Sequence, residues 1–164
     1  MLDILWNELN TGFPDQAQLV RVVVRLLGAM LMGAIVGFER EQAGKEAGLR
    51  THILVALGSA LFVLAASGSG MSPDAVARVI QGLAAGIGFL GAGAILKISA
   101  SKEIHGLTTA AGIWMTAAIG VAAGLGGLGL ALLGTLLTWL VLQAIGSLEQ
   151  KVPKRPYASK EDDI

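Results

Sequence analysis

Long segments without charge constrain the fold of this chain more than any other feature. Uncharged stretches cover residues 53–73, 79–96 and 104–148, and a shorter one covers residues 26–38. A helix needs about 20 mostly apolar residues to cross a bilayer. Because three of these stretches approach or exceed that length, we expect them to fold as membrane-spanning helices.

The number of spans follows from how these stretches divide. The longest is roughly twice the length of one span, and the sequence GLGGLG at residues 124–129 divides it. The shortest reaches full length if Arg21 and Arg25 extend their charged ends to the membrane surface. The predicted fold is therefore all-α, a polytopic membrane bundle in residues 1–148 with a short cytoplasmic tail at residues 149–164. About five transmembrane helices are expected, at residues 19–38, 53–70, 74–96, 107–124 and 128–148.

The composition agrees with a protein whose solvent is partly the lipid bilayer. Hydrophobic residues make up 54% of the 164 residues and charged residues 15%, whereas soluble domains carry about 25% charged residues. The 23 glycines also fit, since glycine is commoner in membrane helices than in soluble ones. The net charge is zero, so no nucleic-acid partner is expected, and the lack of cysteine excludes disulfides and thiolate metal sites.

The first ten residues, MLDILWNELN, favour a short helix lying in the membrane interface. Leu2, Leu5, Trp6 and Leu9 recur at helical spacing, and tryptophan suits the headgroup level. A frayed terminus is the alternative. The segment lacks the positive charge of a signal peptide, so we expect it to be retained.

Lysine and arginine set the expected orientation, because cytoplasmic loops carry an excess of both. With five spans, nine of these residues fall on one side, in the loops after spans 1 and 3 and in the tail. The opposite side has an N-terminal segment and a loop near Gly70 that lack them. We therefore expect the N-terminus outside and the C-terminus in the cytoplasm.

Polar residues within two spans are expected to face the protein interior, because charge that faces lipid is costly. On a helical wheel of span 1, Arg21, Arg25 and Glu39 share one stripe. In span 3, Arg78 and Gln81 lie on a face of small residues, opposite a face of bulky aliphatic ones. We expect the small, polar face to pack inside, with Arg78 and Gln81 at an inner polar site.

The start of span 3 has the sequence of a helix N-terminus. Ser72 is a candidate N-cap, Pro73 suits the first helical position and Asp74 places an acid in the first turn. Asp74 also lies four residues before Arg78. An ion pair between these two at the interface is therefore the alternative to an inner polar site.

Glycine spacing predicts where the helices approach closely. The close-packing motif GxxxG occurs at residues 33–37, 82–86 and 120–124, and span 4 places Thr109, Thr116 and several glycines on one face. We interpret these faces as helix contacts, and a conduit for ions is the alternative. Span 5 has few glycines and is expected at the periphery. The residues assigned to helix packing are Gly82, Gly86, Gly88, Gly91, Gly93, Gly112 and Gly120.

No arrangement of residues indicates catalysis. His52 and His105 fall at helix ends without a second histidine at ligand spacing, and no serine or threonine has an evident base. The glycine run at residues 86–93 lies inside a span, so it is not interpreted as a nucleotide-binding loop. We expect no enzyme activity, no cofactor and no metal site.

Five sequence blocks, taken together, resemble a known family. They are GFERE at residues 37–41, GLRTH at 48–52, ARVIQG at 77–82, GIGFLGAGAI at 86–95, and HGLTTAAGIW at 105–114 followed by AAIG. In order and spacing this set resembles the MgtC/SapB family over residues 25–125. The resemblance implies a bacterial inner-membrane protein with about five transmembrane helices. Many members carry a soluble domain after the last span, whereas only about sixteen residues follow Leu148 here, so functions of that domain are not expected.

The resemblance also implies roles for the family. Some members are linked to growth in low magnesium, to survival of pathogens inside host cells and to inhibition of the proton-driven ATP synthase. The motif positions fall mostly on the stripes described above. The functional or structural polar candidates are Arg25, Glu39, Arg40, Arg50, Thr51, Arg78, Gln81, Thr108 and Thr109.

The charged segment GFEREQAGKEAGLRTH, residues 37–52, is expected to be a structured cytoplasmic cap in which Glu39 folds back against Arg50 or Arg40. Thr51 and Thr108 are candidate N-caps of spans 2 and 4, and Asp15 with Gln18 predicts a capping box for span 1. The positive dipole ends of spans 2 and 4 favour an anionic headgroup, a phosphate or an acidic partner segment. An ordinary positive loop is the alternative.

Two functions remain open from the sequence. The first is a regulator that binds and modulates another membrane protein, such as ATP synthase or an ion-transport ATPase, in adaptation to low magnesium or stress. The second is a transporter or channel for an ion or small polar solute, either Mg²⁺ or an anion. A weak outer cation site built from Asp3, Glu8, Asp15 and Asp74 is possible on composition, and the small residues also suit a homo-oligomer.

Overall fold

Helices make up most of the chain in the computed structural model, which describes residues 1–5, 15–98 and 103–145. A two-stranded antiparallel hairpin pairs Leu96 with His105 and Ile98 with Glu103, a detail that the all-helical prediction did not contain. The elements, in chain order, are α1 (Gln16–Gln42), α2 (Leu49–Gly68), α3 (Pro73–Gly93), β1 (Leu96–Ile98), β2 (Glu103–His105), α4 (Leu107–Gly124) and α5 (Leu128–Leu140), continued by a π-helical segment (Val141–Ile145).

The helices confirm the predicted membrane bundle. Helices α1 to α4 are long and apolar enough to cross a bilayer, and a shorter apolar helix covers Leu128–Ala144. Helix α1 extends several residues beyond the predicted span at both ends. At the N-terminus, residues 2–5 are helical, while Trp6, the rest of the proposed interfacial helix and the tail at residues 149–164 lie outside the described residues.

Helix α2 packs between α1 and α4 through contacts that only glycine allows. A Cβ atom at Gly33 would lie 2.7 Å from the backbone oxygen of His52, and one at Gly124 would lie 2.8 Å from that of Ala60. A Cβ atom at Gly120 would overlap the backbone oxygen of Ala56. Two of the three GxxxG motifs therefore let α1 and α4 approach the α2 backbone closely, as predicted.

Buried hydroxyl groups in this core bond to their own helices. Ser59, Thr116, Thr135 and Thr138 each donate to the carbonyl oxygen four residues earlier, over 2.6–2.8 Å. Thr116 is buried on the α4 face that the sequence predicted. These four hydroxyl groups satisfy their hydrogen bonds within their own helices and do not join one helix to another.

The predicted facing of α3 is wrong. Its bulky residues Ile80, Leu83 and Ile87 face Trp114 and its neighbours on α4, while the small, polar face points away from the chain. Only 6% of the apolar segment of α3 is buried, against 39% in α2 and 50% in α4. A helical wheel separates two faces but does not say which one meets the same chain, and here large side chains fill the contact with α4.

The ends of the helices test several predicted caps. Ser72 accepts a hydrogen bond from the backbone N–H of Ala75 over 3.3 Å, with Pro73 opening α3, as predicted. Asp15 precedes α1 but its side chain makes no capping hydrogen bond, so the predicted capping box is wrong. Its backbone oxygen instead accepts from Gln18, over 3.0 Å.

The turn between α4 and α5 confirms the break predicted at GLGGLG. Gly126 has a φ of 91°, a conformation that favours glycine. Arg25 of α1 donates from Nη1 to the backbone oxygen of Gly124 over 3.1 Å, which satisfies a carbonyl at the end of α4. Arg21, one turn earlier on α1, is exposed. We call this end of the bundle the turn end.

The glycine contacts predict opposite effects for two alanine substitutions. Gly120→Ala forces a methyl group into the α2 backbone and is expected to destabilise the bundle by about 1–3 kcal/mol. Gly88→Ala on α3 meets open space and is expected to stabilise its helix by up to about 1 kcal/mol. Unfolding titrations in mixed micelles measure both. Equal effects at the two positions would contradict the packing described for α2.

Candidate functional site

Four of the five sequence blocks meet at one end of the bundle. This end, which we call the hairpin end, is where α1 and α3 finish, α2 and α4 begin, and the β-hairpin lies. The blocks GFERE and GLRTH flank the loop at residues 43–48, and the other two flank the hairpin. The block ARVIQG is the exception, since it lies in the first part of α3, near the turn end.

A buried ion pair closes α1 at the hairpin end. Arg40 donates to both carboxylate oxygens of Glu39, including Nη2 to Oε1 over 2.6 Å, and the two side chains are only 4% and 11% exposed. Arg50 is exposed. Of the two partners that the sequence left open for Glu39, the structure selects Arg40.

A second carboxylate holds the start of α2. Glu41 accepts a hydrogen bond from the backbone N–H of Leu49 over 2.8 Å, so a residue of α1 caps the next helix. Gly48 occupies the N-cap position, and Thr51 lies within the first turn. The prediction that Thr51 caps this helix is therefore wrong, because the helix begins before Thr51 and Glu41, eight residues before Leu49, supplies the acceptor.

His52 lies at the centre of the contact between α1, α2 and α4. It is fully buried, and its Nδ1 lies 3.0 Å from the backbone oxygen of Gly48. Gly37 of α1 and Gly112 of α4 leave room for it: added Cβ atoms there would lie 2.9 Å from its Cβ and 3.5 Å from its Nε2. Among the described residues its Nε2 has no hydrogen-bond partner.

The start of α4 depends on a glycine rather than on a hydroxyl side chain. Gly106 is the N-cap with a φ of 89°, and a Cβ atom there would overlap the backbone oxygen of Ala94 at the end of α3. Thr108 is already inside the helix and exposed, so its predicted role as N-cap is wrong. The close approach of Gly106 to Ala94 brings the ends of α3 and α4 together.

A cavity of about 410 Å³ opens beside this junction. Lys45 and Glu46 from the first loop, His105, Thr108 and the buried Thr109 contribute to its lining. The first residues of α4 contribute to its lining, and the backbone N–H groups at the start of a helix, together with a lysine, suit a carboxylate or phosphate. Glu46 adds an acceptor, so the cavity suits a partner segment of mixed polarity as well as a simple anion.

The remaining polar candidates do not join this site. Arg25 bonds at the turn end, while Arg78 and Gln81 are exposed on α3. Within the described ranges neither Arg78 nor Asp74 forms an ion pair, so their predicted pairing is not present. The same residues contain no group of three acids or histidines close enough to hold a metal, and the suggested outer site of Asp3, Asp15 and Asp74 is not assembled; Glu8 is outside the described residues.

The glycines that the sequence assigned to helix packing fall into two groups, those that contact another helix and those that do not. Gly112 and Gly120 contact α2, and Gly91 is 3.6 Å, measured from an added Cβ, from Ala110 of α4. The open positions on α3, where an added Cβ atom meets nothing within 4 Å, are Gly82, Gly86, Gly88 and Gly93. The sequence did not single out His52 as a site residue, although its place in GLRTH between two glycine-rich blocks was the available signal.

Because the Glu39–Arg40 pair is buried, removing one of its charges is expected to lower the free energy of unfolding strongly. Glu39→Gln leaves a buried guanidinium without its anion and is expected to destabilise the bundle by about 3–5 kcal/mol. Arg50→Gln changes an exposed charge and is expected to alter the free energy of unfolding by no more than about 0.5 kcal/mol. Unfolding in mixed micelles checks both variants. Recovery in a Glu39→Met, Arg40→Met double variant supports the pair, and equal losses for Glu39→Gln and Arg50→Gln contradict it.

Comparison with known proteins gives a consistent result. The sequence profile described as "MgtC family" matches residues 26–151. The chain is 44% identical to "Protein SrpB" of Synechococcus elongatus, covering 87% of this chain and 84% of that protein. It is 39% identical to "Protein MgtC" of Salmonella typhi over 85% of this chain, and 39% identical to "Putative magnesium transporter YhiD" of Escherichia coli over 82% of it.

The matches differ in how much of each relative they include. The chain spans 59% of the length of the Salmonella protein and 65% of the Escherichia coli one, so it corresponds to only part of these longer relatives. No solved structure matches the chain.

Proposed function

Because the chain belongs to the MgtC family of membrane proteins, we propose that it is a regulator whose hairpin end binds another membrane protein and modulates it. The proposed role is binding rather than catalysis. The proposed location is the bacterial inner membrane, with the hairpin end in the cytoplasm. This orientation rests on the excess of lysine and arginine in the loops at that end.

The observation that carries the proposal is the construction of the hairpin end. Four sequence blocks meet there around an open cavity, and a buried ion pair, a carboxylate cap and a glycine junction hold the segments in place. The helices below are joined by backbone contacts at glycine, and their buried hydroxyl groups bond locally. A rigid, polar surface on a closely packed anchor suits recognition of a partner.

The charges at the hairpin end indicate the chemistry of the partner. Lys45 and Arg50 are exposed and unpaired among the described residues, and the N-terminus of α4 adds partial positive charge. An acidic segment of a cytoplasmic loop complements this surface. On the resemblance to the family, ATP synthase or an ion-transport ATPase is the proposed partner, engaged during adaptation to low magnesium or stress.

Transport of an ion or a small polar solute is the second candidate. Two observations favour it: the name of the Escherichia coli relative, a putative magnesium transporter, and the buried Nε2 of His52. A polar atom without a partner in a buried position often marks a functional site. The first candidate is preferred because it uses the whole set of segments at the hairpin end, whereas the second uses one nitrogen atom.

Photo-cross-linking in native membranes tests the preferred proposal. A photoreactive residue at Lys45 is expected to capture one membrane protein from cells grown in low magnesium, while the same residue at the lipid-facing position Leu61 is not. A charge-reversed variant combines Lys45→Glu and Arg50→Glu, and its photoreactive residue is placed at Thr108 instead of Lys45. This variant is expected to capture the partner at least tenfold less.

Activity of the captured protein provides the decisive readout. Adding the purified chain to vesicles that contain the captured protein is expected to change the rate of ATP synthesis or ion transport by that protein. Adding the charge-reversed variant is expected to leave that rate unchanged. Equal capture at Lys45 and Leu61, or capture without any change in activity, would overturn the proposal.

A further inference from the structure

The outer face of α3 differs from the exposed faces of α2 and α5. We define it by Asp74, Arg78, Gln81, Gly82, Ala85 and Phe89, which share one side of the helix. The exposed faces of α2 and α5 are aliphatic or aromatic, with residues such as Leu61, Phe62 and Leu133, and therefore suit lipid. The α3 outer face combines two charges and an amide with small residues.

Among residues 1–5, 15–98 and 103–145 of one chain, nothing covers this face. Phe89 is 85% exposed, and added Cβ atoms at Gly82 and Gly86 would meet nothing within 4 Å. The opposite side of α3 already packs against α4 through Ile80, Leu83 and Ile87. The outer face is therefore a free surface on a helix that spans the membrane.

Lipid is a poor environment for this surface. Gln81 lies about 12 Å along the helix from Pro73, deep enough for its amide to need a partner other than water. Asp74 and Arg78 are one turn apart but form no ion pair within the described chain. Polar groups in a span are expected to find partners in protein, and the described residues of one chain supply none on that side.

We propose that the α3 outer face is the interface between two copies of this chain, related by a two-fold axis along the membrane normal. Copies in one membrane have the same orientation, so such an axis places Gln81 opposite Gln81, and Asp74 of each copy lies diagonally across from Arg78 of the other, one helical turn away in height. A two-fold interface requires a self-complementary surface, and the Gln81 amide provides one because it both donates and accepts hydrogen bonds. Gly82 and Ala85 allow the helices to approach closely. This inference does not rest on the proposed regulatory function.

Disulfide cross-linking tests the interface directly, because the chain has no cysteine of its own. Ala85→Cys is expected to form disulfide-linked dimers when membranes are oxidised. The control is Leu61→Cys, an exposed position on the lipid-facing side of α2, which is expected to remain monomeric. Dimers at neither position, or equally at both, would overturn the proposal.

A charge exchange separates pairing between copies from pairing within one helix. Asp74→Arg places like charges against Arg78 of the second copy, and Arg78→Asp does the same against Asp74. When the two variants are co-expressed, opposite charges face each other only in dimers that contain one copy of each variant. Both variants carry Ala85→Cys, and each carries a different tag. The amount of cross-linked dimer with one copy of each variant is expected to be at least ten times the amount with two copies of the same variant. A mixed fraction no greater than random assortment would contradict the inference.

Bulk at the interface gives a third readout. Gly82→Leu meets open space in the single chain, so it is expected to leave insertion and folding unchanged. In the Ala85→Cys background it is expected to lower the cross-linked fraction at least tenfold. Unchanged cross-linking in this variant would overturn the close approach of the two helices.

Discussion

The close approach of three helix backbones at glycine is the constraint on which the rest of the structure depends. Gly33 and Gly37 bring α1 onto α2, and Gly120 and Gly124 bring α4 onto its other side. Apolar side chains gain little from leaving lipid, so such van der Waals contacts must hold the bundle together. They also fix where the helices end, and the segments of the hairpin end are positioned from there.

At the hairpin end, the packing of the helices positions polar side chains in a defined surface. Because α1 and α2 are held together, Glu41 can reach the first N–H of α2, and the Glu39–Arg40 pair can remain buried. The close approach of Gly106 to the backbone oxygen of Ala94 holds the start of α4 against the end of α3. The cavity lies beside this contact and the charged loop. The Glu41 cap and the Gly106 contact each link consecutive helices, so together they hold this surface in one shape.

Much of the fold could be predicted from the sequence, since spans, the turn at GLGGLG, the Ser72 cap and the buried face of α4 depend on local pattern. The caps of α2 and α4 could not, because Glu41 and Gly106 act through contacts with other helices. The facing of α3 was also missed. Its polar side points away from the single chain, and the rule that polar faces in a membrane pack against protein does not say which chain supplies the contact.

On the proposed function, the packed bundle anchors a binding surface and conducts no ion. Flux measurements in proteoliposomes, with indicators for Mg²⁺, protons and a small anion, separate this role from transport. With protein shown to be folded and inserted, we predict no flux above that of empty vesicles. Flux above that level, abolished by His52→Leu in a variant that remains folded, would contradict the account and make His52 part of a conduction path.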